Sequence, residues 1–294
     1  MLPVLFRIGD IPVYSFGLMM GIAFLVANYF FVREMRRRQI PNPDDTTGTV
    51  TLIALVGGVI GSKLFSLLEN WNEFIQNPLG EIFSAAGLTF YGGLIVATLS
   101  IYFYVRRKGI PFMRVADAAA PVLILAYGIG RIGCQLSGDG DYGIPSTLPW
   151  AMGYPNGTVS TLAAKNPELA AKFSEMFPGQ AVPADIMVHP APVYETLAAL
   201  AIFLVLWNLR KRSWPMGKMF AIYLICAGFE RLLVEFIRLN PLYLGLSQAQ
   251  WISVGMIALG SAMLVKLRNA PPEVYPAAST REKRPRTAAA PARR

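Results

Sequence analysis

The sequence has few charged residues and very few of the residues that usually build metal sites or disulfides. Only 15% of its 294 residues are Asp, Glu, Lys or Arg, which is too few for an ordinary soluble protein of this length. There are two cysteines, Cys134 and Cys226, and one histidine, His189. The cysteines lack CxxC or other paired spacing, so neither a disulfide framework nor a zinc site is indicated. We therefore expect no metal and no organic cofactor.

Apolar residues, by contrast, are abundant and arranged in long runs. They make up 54% of the chain, and seven segments approach or reach the roughly 20 residues that a membrane-spanning helix needs. The seven segments are residues 13–32, 49–68, 88–105, 115–133, 193–209, 219–237 and 251–265. The first lacks the basic region that precedes a cleavable signal peptide, so we interpret it as a retained helix. The sequence predicts an all-α integral membrane protein with seven transmembrane helices.

Basic residues follow every second apolar segment. Of the 27 Lys and Arg residues, 20 lie after the first, third, fifth and seventh segments. Because such residues are concentrated in cytoplasmic loops, the N-terminus is predicted outside and the C-terminus in the cytoplasm. Residues 1–268 would form the membrane domain, and its long loop 134–192 a small external subdomain. Residues 269–294, rich in Pro, Ala and Arg, are predicted to be a disordered basic cytoplasmic tail.

A net charge of +9 is also compatible with nucleic-acid binding. The basic residues, however, lie in short clusters between apolar runs, and the positive-inside rule explains that pattern better. We expect the lipid bilayer as a partner and no nucleic acid.

Small residues recur at the spacing of close helix contacts. Gly17 and Gly21 are four residues apart in the first segment, and Gly57 and Gly61 repeat the spacing in the second. Such pairs allow helices to approach closely in lipid, so we predict helix packing at both.

Four basic residues lie inside the apolar segments or at their ends, and the predicted topology places all of them towards the outer leaflet. They are Lys63, Arg131, Arg231 and Arg238. A charge at the centre of a membrane helix costs roughly 2.5–3.5 kcal/mol on insertion scales, so such residues normally have a partner or a function. Arginine binds phosphate oxygens in pairs and stays charged, which favours a lipid phosphate as the ligand. A purely structural Arg–Glu–Arg network is the alternative.

Acidic residues in the same segments have different predicted roles. Glu235 lies between Arg231 and Arg238 at positions i, i+4 and i+7, so the three share one helix face. Asp117 lies at the inner end of the fourth segment. We interpret it as a structural cap or ion-pair partner, with Glu34 or a basic loop residue among the candidates.

Several motifs together resemble the bacterial prolipoprotein diacylglyceryl transferase family. They are Tyr91-Gly-Gly-Leu, Gly130-Arg-Ile-Gly133 with its following Gly-rich turn, His189-Pro-x-x-x-Tyr194-Glu195, Arg231-x-x-x-Glu235-Phe-x-Arg238 and Gln250-x-x-Ser253. The resemblance implies transfer of the diacylglyceryl group of phosphatidylglycerol to the lipobox cysteine thiol of a prolipoprotein. A thioether forms and glycerol phosphate leaves. It also implies a bacterial plasma membrane enzyme with its active site facing the outer leaflet.

The resemblance also implies roles for individual residues. The residues expected to act in catalysis are Arg131, Arg231, Tyr91, Glu235 and His189. The residues expected to bind phosphatidylglycerol are Arg131, Arg231, Arg238, Gly92, Gly93, Gly138, Cys134 and Glu195. No residue is assigned to a metal.

The sequence departs from the family where a base would be expected. Many members carry histidine at the position of Tyr91, and a phenol that titrates near 10 is a poor base at neutral pH. His189, Asp139, Asp141 or the field of the arginines alone are the alternatives for activating the thiol. Cys134 stands where many members have asparagine.

Three alternative functions remain open on the sequence. A relative with another thiol acceptor or lipid donor would keep the chemistry, and a non-catalytic phospholipid-binding protein would lack it. An anion transporter would need charges through the whole membrane depth, whereas the inner half is almost uncharged apart from Asp117.

Overall fold

The computed structural model describes residues 1–84 and 89–273, and within these ranges the chain is mostly helical. The helices are α1 (Ser15–Arg37), α2 (Pro43–Glu69), α3 (Trp71–Gln76), α4 (Pro78–Phe83), α5 (Phe90–Arg107), α6 (Phe112–Ser137), α7 (Pro167–Met176), α8 (Ala191–Leu209), α9 (Lys218–Glu235) and α10 (Gln248–Lys266). Two antiparallel hairpins pair β1 (Val4–Ile8) with β2 (Ile11–Tyr14) and β3 (Leu242–Tyr243) with β4 (Leu246–Ser247). Leu88 and residues 274–294 of the predicted tail lie outside the described residues.

All seven predicted segments coincide with long helices. Five helices in the described ranges are long and apolar enough to cross a membrane, namely α1, α2, α6, α8 and α10. The other two predicted segments correspond to α5 and α9, which have 18 residues each but do not belong to the five. The structure therefore supports an all-α membrane protein, and the number of seven membrane spans stays a prediction.

Most predicted helix boundaries differ from the observed ones by one to six residues, and two of these differences change which element a residue belongs to. Residues 13 and 14 belong to β2, because the chain first turns back on itself at Gly9, with a φ of 60°, and pairs as a hairpin before α1 begins. At the other boundary, α9 ends at Glu235, so Arg238 lies just beyond the helix. A backbone bridge between Gly143 and Arg238 ties that residue to the loop after α6.

The central helix is α6. Half of its most apolar 18-residue stretch is buried, against 17% for α1, α2 and α10. It packs against α1, α8 and α9, while α2 pairs with α5 and α9 with α10. Helices α1 and α6 are antiparallel, since Gly133 near the end of α6 meets Phe16 and Met19 near the start of α1. Residues on α6 can therefore contact side chains from several other helices.

The glycine prediction is confirmed for one helix and wrong for the other. A Cβ at Gly61 would lie 2.5 Å from the carbonyl oxygen of Gly92, and a Cβ at Gly57 would lie 3.3 Å from the Cα of Ala97. Helices α2 and α5 thus approach backbone to backbone. Among the described residues, no atom of another element lies within 4 Å of the position of a Cβ at Gly17 or Gly21, so the described part of the chain makes no close helix contact at these two glycines.

Asp117 has the structural role predicted for it. Its carboxylate accepts hydrogen bonds from the backbone N–H groups of Gly217 and Phe220, each at 2.8 Å, and so caps the start of α9. Arg38 lies 3.5 Å away as the basic partner. The interaction fixes where α9 begins relative to α6 and α1.

A second buried carboxylate at this end holds the helix termini together. Glu34 has no exposed side-chain surface and accepts from Arg37 and from Arg210, the residue that follows α8, at 3.1 Å. Beyond α10, Glu273 pairs with Arg114 and Arg38. These contacts tie α1, α6, α8 and the chain after α10 at the end opposite to Arg131.

The chain between α6 and α8 has a small apolar core of its own. Its buried residues are Tyr142, Tyr154, Leu169, Phe173, Ile186 and Val188. The core holds α7 and the turns on either side of it, so the loop that leaves α6 is supported from outside the helix bundle.

The close contact between α2 and α5 generates the first testable prediction. We expect Gly61→Ala to lower the free energy of unfolding by about 1–3 kcal/mol, because the added methyl group would overlap backbone and the side chain of Val96. Gly21→Ala is the matched control and should be neutral or slightly stabilising, since the methyl group enters open space on a helix. Thermal unfolding of both variants in one detergent measures the difference. Equal stability of the two variants would contradict the described packing.

Candidate active site

Three arginines from different parts of the chain surround buried carboxylates at the end of the bundle opposite to Asp117. Arg131 lies in the last two turns of α6, Arg231 in the last turns of α9 and Arg238 just after α9. We call the set Arg131, Arg231, Arg238, Asp141, Glu195 and Glu235 the arginine cluster. Three of the four predicted bases are thus brought together. The fourth, Lys63, donates to the carbonyl of Ser84 at 3.0 Å instead.

Glu195 is the common partner of the arginines. It lies in the first turns of α8 with no exposed side-chain surface. Its Oε1 accepts from Arg231 Nη1 at 2.8 Å and from the Tyr127 hydroxyl at 2.8 Å, and it lies 3.7 Å from Arg238 Nη1. Its Oε2 is 3.3 Å from Arg131 Nε. One buried carboxylate therefore orients all three guanidinium groups.

Glu235 holds the arginine of its own helix. Its Oε2 lies 2.7 Å from Arg231 Nη2 and 3.9 Å from Arg238 Nε. Its Oε1 accepts from Asn240 Nδ2 at 2.6 Å. The predicted Arg–Glu–Arg arrangement is present, although Arg238 reaches it from beyond the helix end.

Asp141 closes the cluster from the outer side. Its carboxylate bridges Arg131 and Arg238, accepting a hydrogen bond from each on a different oxygen. Burial alone would raise the pKa of the Asp141 carboxyl, but the guanidinium groups of Arg238 and Arg131 outweigh burial and hold that pKa below its ordinary range. Asp141 is therefore an anion at neutral pH and a poor proton acceptor.

The loop that carries Asp141 is positioned by backbone hydrogen bonds. Gly143 donates to the carbonyl of His189 at 2.8 Å, and Ile144 donates to the carbonyl of Ile237 at 2.7 Å. A Cβ at Gly143 would lie 2.5 Å from that same Ile237 oxygen, so only glycine allows the approach. The loop between α6 and α7 is thereby joined to both the entry of α8 and the exit of α9.

Sequence reasoning missed Tyr127, which contacts the cluster, and Glu230, which contacts Tyr127. The Tyr127 hydroxyl lies 2.8 Å from Glu195 Oε1 and 3.4 Å from Glu230 Oε1. The Tyr127 ring centroid lies 5.0 Å from the guanidinium carbon of Arg131. Glu230 could have been found from the sequence, because it is a second acidic residue beside Arg231 in an apolar segment. The tyrosine one turn before Arg131 carried no comparable signal.

The Tyr91-Gly92-Gly93 motif is placed partly at the cluster and partly at a helix contact. Tyr91 is half-buried and lies within electrostatic range of Arg231 and Glu235. A Cβ at Gly92 would meet Phe65 of α2, and one at Gly93 would meet α2 as well. Packing against α2 accounts for the two glycines, and the prediction that they bind lipid stays untested.

His189 lies beside the cluster without a described contact to its arginines. Its Nδ1 is 3.4 Å from the Tyr194 hydroxyl, and its backbone pairs with Gly143 and Ile144. Burial lowers the pKa of His189, which favours the neutral imidazole at neutral pH. The described contacts of His189 lie at the entry of α8, and the prediction that it acts in catalysis stays untested.

Cys134 and Gly138 lie on the outer end of α6. The Cys134 thiol is buried and accepts from Arg131 Nη1 at 3.7 Å. Gly138 ends the helix with a φ of 58°, and its Cα region packs against the backbone of Gly157. The left-handed conformation favours glycine here, so Gly138 turns the chain towards Asp141.

Cys134, Asp139 and Asp141 form the one group in the described ranges whose ligand atoms lie close enough to bind a metal ion, within 4.8 Å of one another. Both oxygens of Asp141 already accept from arginines. Two guanidinium charges on this carboxylate oppose a divalent cation, so the donor set does not fit a metal.

The arrangement suits an anion with several oxygens. Arg131 and Arg231 expose 15% and 21% of their side chains, whereas Glu195 and Glu235 expose 0% and 1%. The guanidinium groups are thus more accessible than the two carboxylates that orient them. Preorganised donors of this kind stabilise charge that develops on a phosphate during a reaction.

Comparison with known proteins covers almost the whole chain. A family model described as prolipoprotein diacylglyceryl transferase matches residues 3–266. The chain is 31% identical over 287 residues to the phosphatidylglycerol–prolipoprotein diacylglyceryl transferase of Nostoc sp., which covers 94% of each chain. It is 29% identical over 265 residues to the protein of that name from Clostridium tetani, which covers 88% of this chain and 95% of the relative. A similar relative from Dehalococcoides mccartyi is 31% identical over 261 residues, covering 87% of this chain and 90% of the relative.

The low pKa of Asp141 predicts how stability depends on pH. Because the pKa in the folded state lies below the unfolded value of about 3.9, ionised Asp141 stabilises the fold above that value, and this contribution is lost as the pH falls below it. We expect the free energy of unfolding of the wild type to decline between about pH 5 and pH 3, and Asp141→Asn to decline less. Denaturant unfolding in a mild detergent across this range measures both slopes. An equal decline in the two proteins would contradict the bridging role of Asp141.

Proposed function

Because the chain belongs to the prolipoprotein diacylglyceryl transferase family, we propose that it transfers the diacylglyceryl group of phosphatidylglycerol to the lipobox cysteine of prolipoproteins. The family is one of transferases, so the chain is an enzyme of this class. The single observation that carries the proposed chemistry is the convergence of Arg131, Arg231 and Arg238 on Glu195.

In the proposed reaction the cysteine thiolate attacks the glyceryl carbon that bears the phosphate. The carbon–oxygen bond breaks, its electron pair leaves on the phosphate oxygen, and a thioether and glycerol phosphate result. The leaving phosphate gains a negative charge at this moment. Arg131 and Arg231 would bind the phosphodiester and stabilise that added charge, as donors held in position by the protein do at other active sites.

The exposure of the side chains supports a direction of approach for the lipid phosphate. Asp141 exposes 31% of its side chain, while Arg238 exposes 8% and Glu195 none. Arg131 and Arg231 expose 15% and 21% of their side chains, so the phosphate would meet these two arginines first. Arg238, Glu195 and Glu235 would act from behind by orienting those two arginines.

The remaining predicted site residues have smaller proposed roles. Tyr91 would face the bound headgroup beside Arg231, and Cys134 and Gly138 would border it on the α6 side. Gly92 and Gly93 would place Tyr91 by allowing α5 to approach α2. His189 would support the loop of Asp141 through its backbone rather than exchange protons with the substrate.

The proposed topology follows the charge pattern of the sequence. The seven long helices would all span the plasma membrane, with the N-terminus outside, the arginine cluster near the outer leaflet and the chain after α10 in the cytoplasm. The segment between α6 and α8 would form the external subdomain, and residues 269–294 the basic tail. Both phosphatidylglycerol and the signal peptide of the prolipoprotein would enter sideways from the bilayer.

A mass-shift assay tests the proposed reaction. Purified protein, phosphatidylglycerol and a lipoprotein signal peptide with its cysteine should yield a peptide heavier by one diacylglyceryl group. We expect Arg131→Ala and Arg231→Ala each to lower the rate by at least about 100-fold, the order of effect seen when one preorganised donor is removed. Arg7→Ala is the matched control, because Arg7 is exposed on β1 and away from the cluster.

A peptide with serine in place of the lipobox cysteine should not gain mass. If wild-type protein left the cysteine peptide unmodified while a conventional family member modified it, the proposed reaction would be wrong for this chain. Equal rates for Arg131→Ala and Arg7→Ala would contradict the role proposed for Arg131 but not the proposed reaction.

Tyr91→His tests whether the tyrosine at this position limits the rate of peptide modification. If the phenol is only a weak substitute for an imidazole base, the histidine variant should modify the peptide faster at neutral pH. The same mass-shift assay, run from pH 6 to pH 9, measures the change. An unchanged rate would mean that another group receives the thiol proton.

A further inference from the structure

Glu230 is a buried carboxyl group at the arginine cluster that has no arginine of its own. It exposes 7% of its surface, and its Oε1 lies 3.4 Å from the Tyr127 hydroxyl. Among the ion pairs of the described ranges, none involves Glu230. A buried ionisable group of this kind needs a reason to be present in an apolar helix.

The carboxyl groups of the arginine cluster are committed to ion pairs. Glu195 contacts three arginines, and Glu235 and Asp141 contact two each. A proton on any of these three would break charged contacts that hold the guanidinium groups in place. A proton can join Glu230, or the half-buried Asp139, without breaking a described ion pair. Of these two carboxyl groups, Glu230 is the one that a phenol hydroxyl links to the arginine cluster.

Tyr127 connects Glu230 to the arginine cluster. Its hydroxyl contacts Glu195 at 2.8 Å as well as Glu230 at 3.4 Å, and its ring lies against the guanidinium of Arg131. Tyr127 is also less buried than Glu230. A phenol carries one proton and can accept another while donating its own, so this hydroxyl can pass a proton inward.

We propose that Glu230 is the final acceptor of the substrate thiol proton, which reaches it through the hydroxyl of Tyr127. The inference rests on the proposed transfer reaction and adds the group that activates its nucleophile. As the thiol S–H bond breaks, its proton joins the Tyr127 oxygen and the Tyr127 proton joins Glu230. The thiolate then attacks the glyceryl carbon, and the same path in reverse returns the proton to the glycerol phosphate that leaves.

The groups that face Glu230 define the electrostatics of this step. Tyr127 and Arg131 come from α6, Glu195 from α8, and Tyr223 and Arg231 from α9 itself. Arg131 and Arg231 bring positive charge near Glu230, and Glu195 brings negative charge. The pH dependence of the reaction therefore belongs to this set of groups rather than to Glu230 alone.

Glu230→Gln tests the proposal in the mass-shift assay, because glutamine keeps the size of the side chain and cannot accept the proton. At pH 7 we expect the rate to fall by about 100-fold or more, the usual loss when a general base is removed. The KM for phosphatidylglycerol should stay close to wild type, since the arginines are untouched. Glu230→Asp should recover part of the rate, because it restores a carboxylate.

The pH profile separates a proton acceptor from a structural residue. A cysteine thiol ionises near pH 8.5 without help, so the deficit of Glu230→Gln should shrink as the assay moves from pH 7 to about pH 9.5. A merely structural defect would persist across that range. Tyr127→Phe, which removes only the hydroxyl, should show the same narrowing deficit, and Glu175→Gln on the exposed face of α7 is the control with wild-type rates.

Failure of the transfer reaction and failure of the Glu230 assignment would give different results in these assays. If wild-type protein does not modify the peptide at any pH, the transfer reaction itself is wrong. If the wild type is active and Glu230→Gln matches it, or is impaired equally at all pH values, Glu230 is not the proton acceptor. A Glu230→Gln protein that fails to fold leaves Tyr127→Phe to decide, and a wild-type profile for that variant overturns the proposal.

Discussion

The buried carboxylate of Glu195 is the interaction on which the site depends. Arginine side chains are long and flexible, and three of them so close together would repel one another without an anion between them. Glu195 contacts Arg131, Arg231 and Arg238 from the first turns of α8, where it is fully buried. It thereby makes three guanidinium groups from separate parts of the chain into one array of hydrogen-bond donors.

Contacts elsewhere in the bundle hold the helices that carry these arginines in fixed positions. At the opposite end, Asp117 caps the first turn of α9, and Glu34 pairs with Arg210 just after α8. At that end Asp117 joins α6 to α9, and Glu34 joins α1 to the end of α8, so buried carboxylates connect these helices at both ends. Breaking one partner of such a buried pair is far more costly than breaking a surface pair, so each end stabilises the geometry of the other.

The loop after α6 links the site to the segment between α6 and α8. Gly138 turns the chain, Asp141 pairs with two arginines, and Gly143 forms backbone hydrogen bonds at the entry of α8. The small core around Tyr142 and Tyr154 supports this loop from outside. A part of the chain that has its own core therefore contributes one carboxylate to the cluster and positions it.

The length and polarity of the apolar runs alone determined where the long helices lie. The apolar runs were sufficient to locate all seven long helices, because hydrocarbon length and hydrophobicity are local properties of the sequence. An arginine inside such a run or at its end is costly enough to need a partner or a function, and this cost singles out Arg131, Arg231 and Arg238. The motif around Tyr91 and the His189–Glu195 motif likewise indicated the family before any geometry was known.

Only the tertiary structure decided which polar groups meet. Lys63 has the same sequence signal as Arg131 but bonds to Ser84, and Gly21 has the same spacing as Gly61 but lacks a close neighbour. Tyr127 is an ordinary aromatic residue in the sequence, and its contact with Glu195 and Glu230 depends on how α6, α8 and α9 pack. Local patterns report the cost of burying a residue, whereas its partner is set by contacts between residues far apart in the chain.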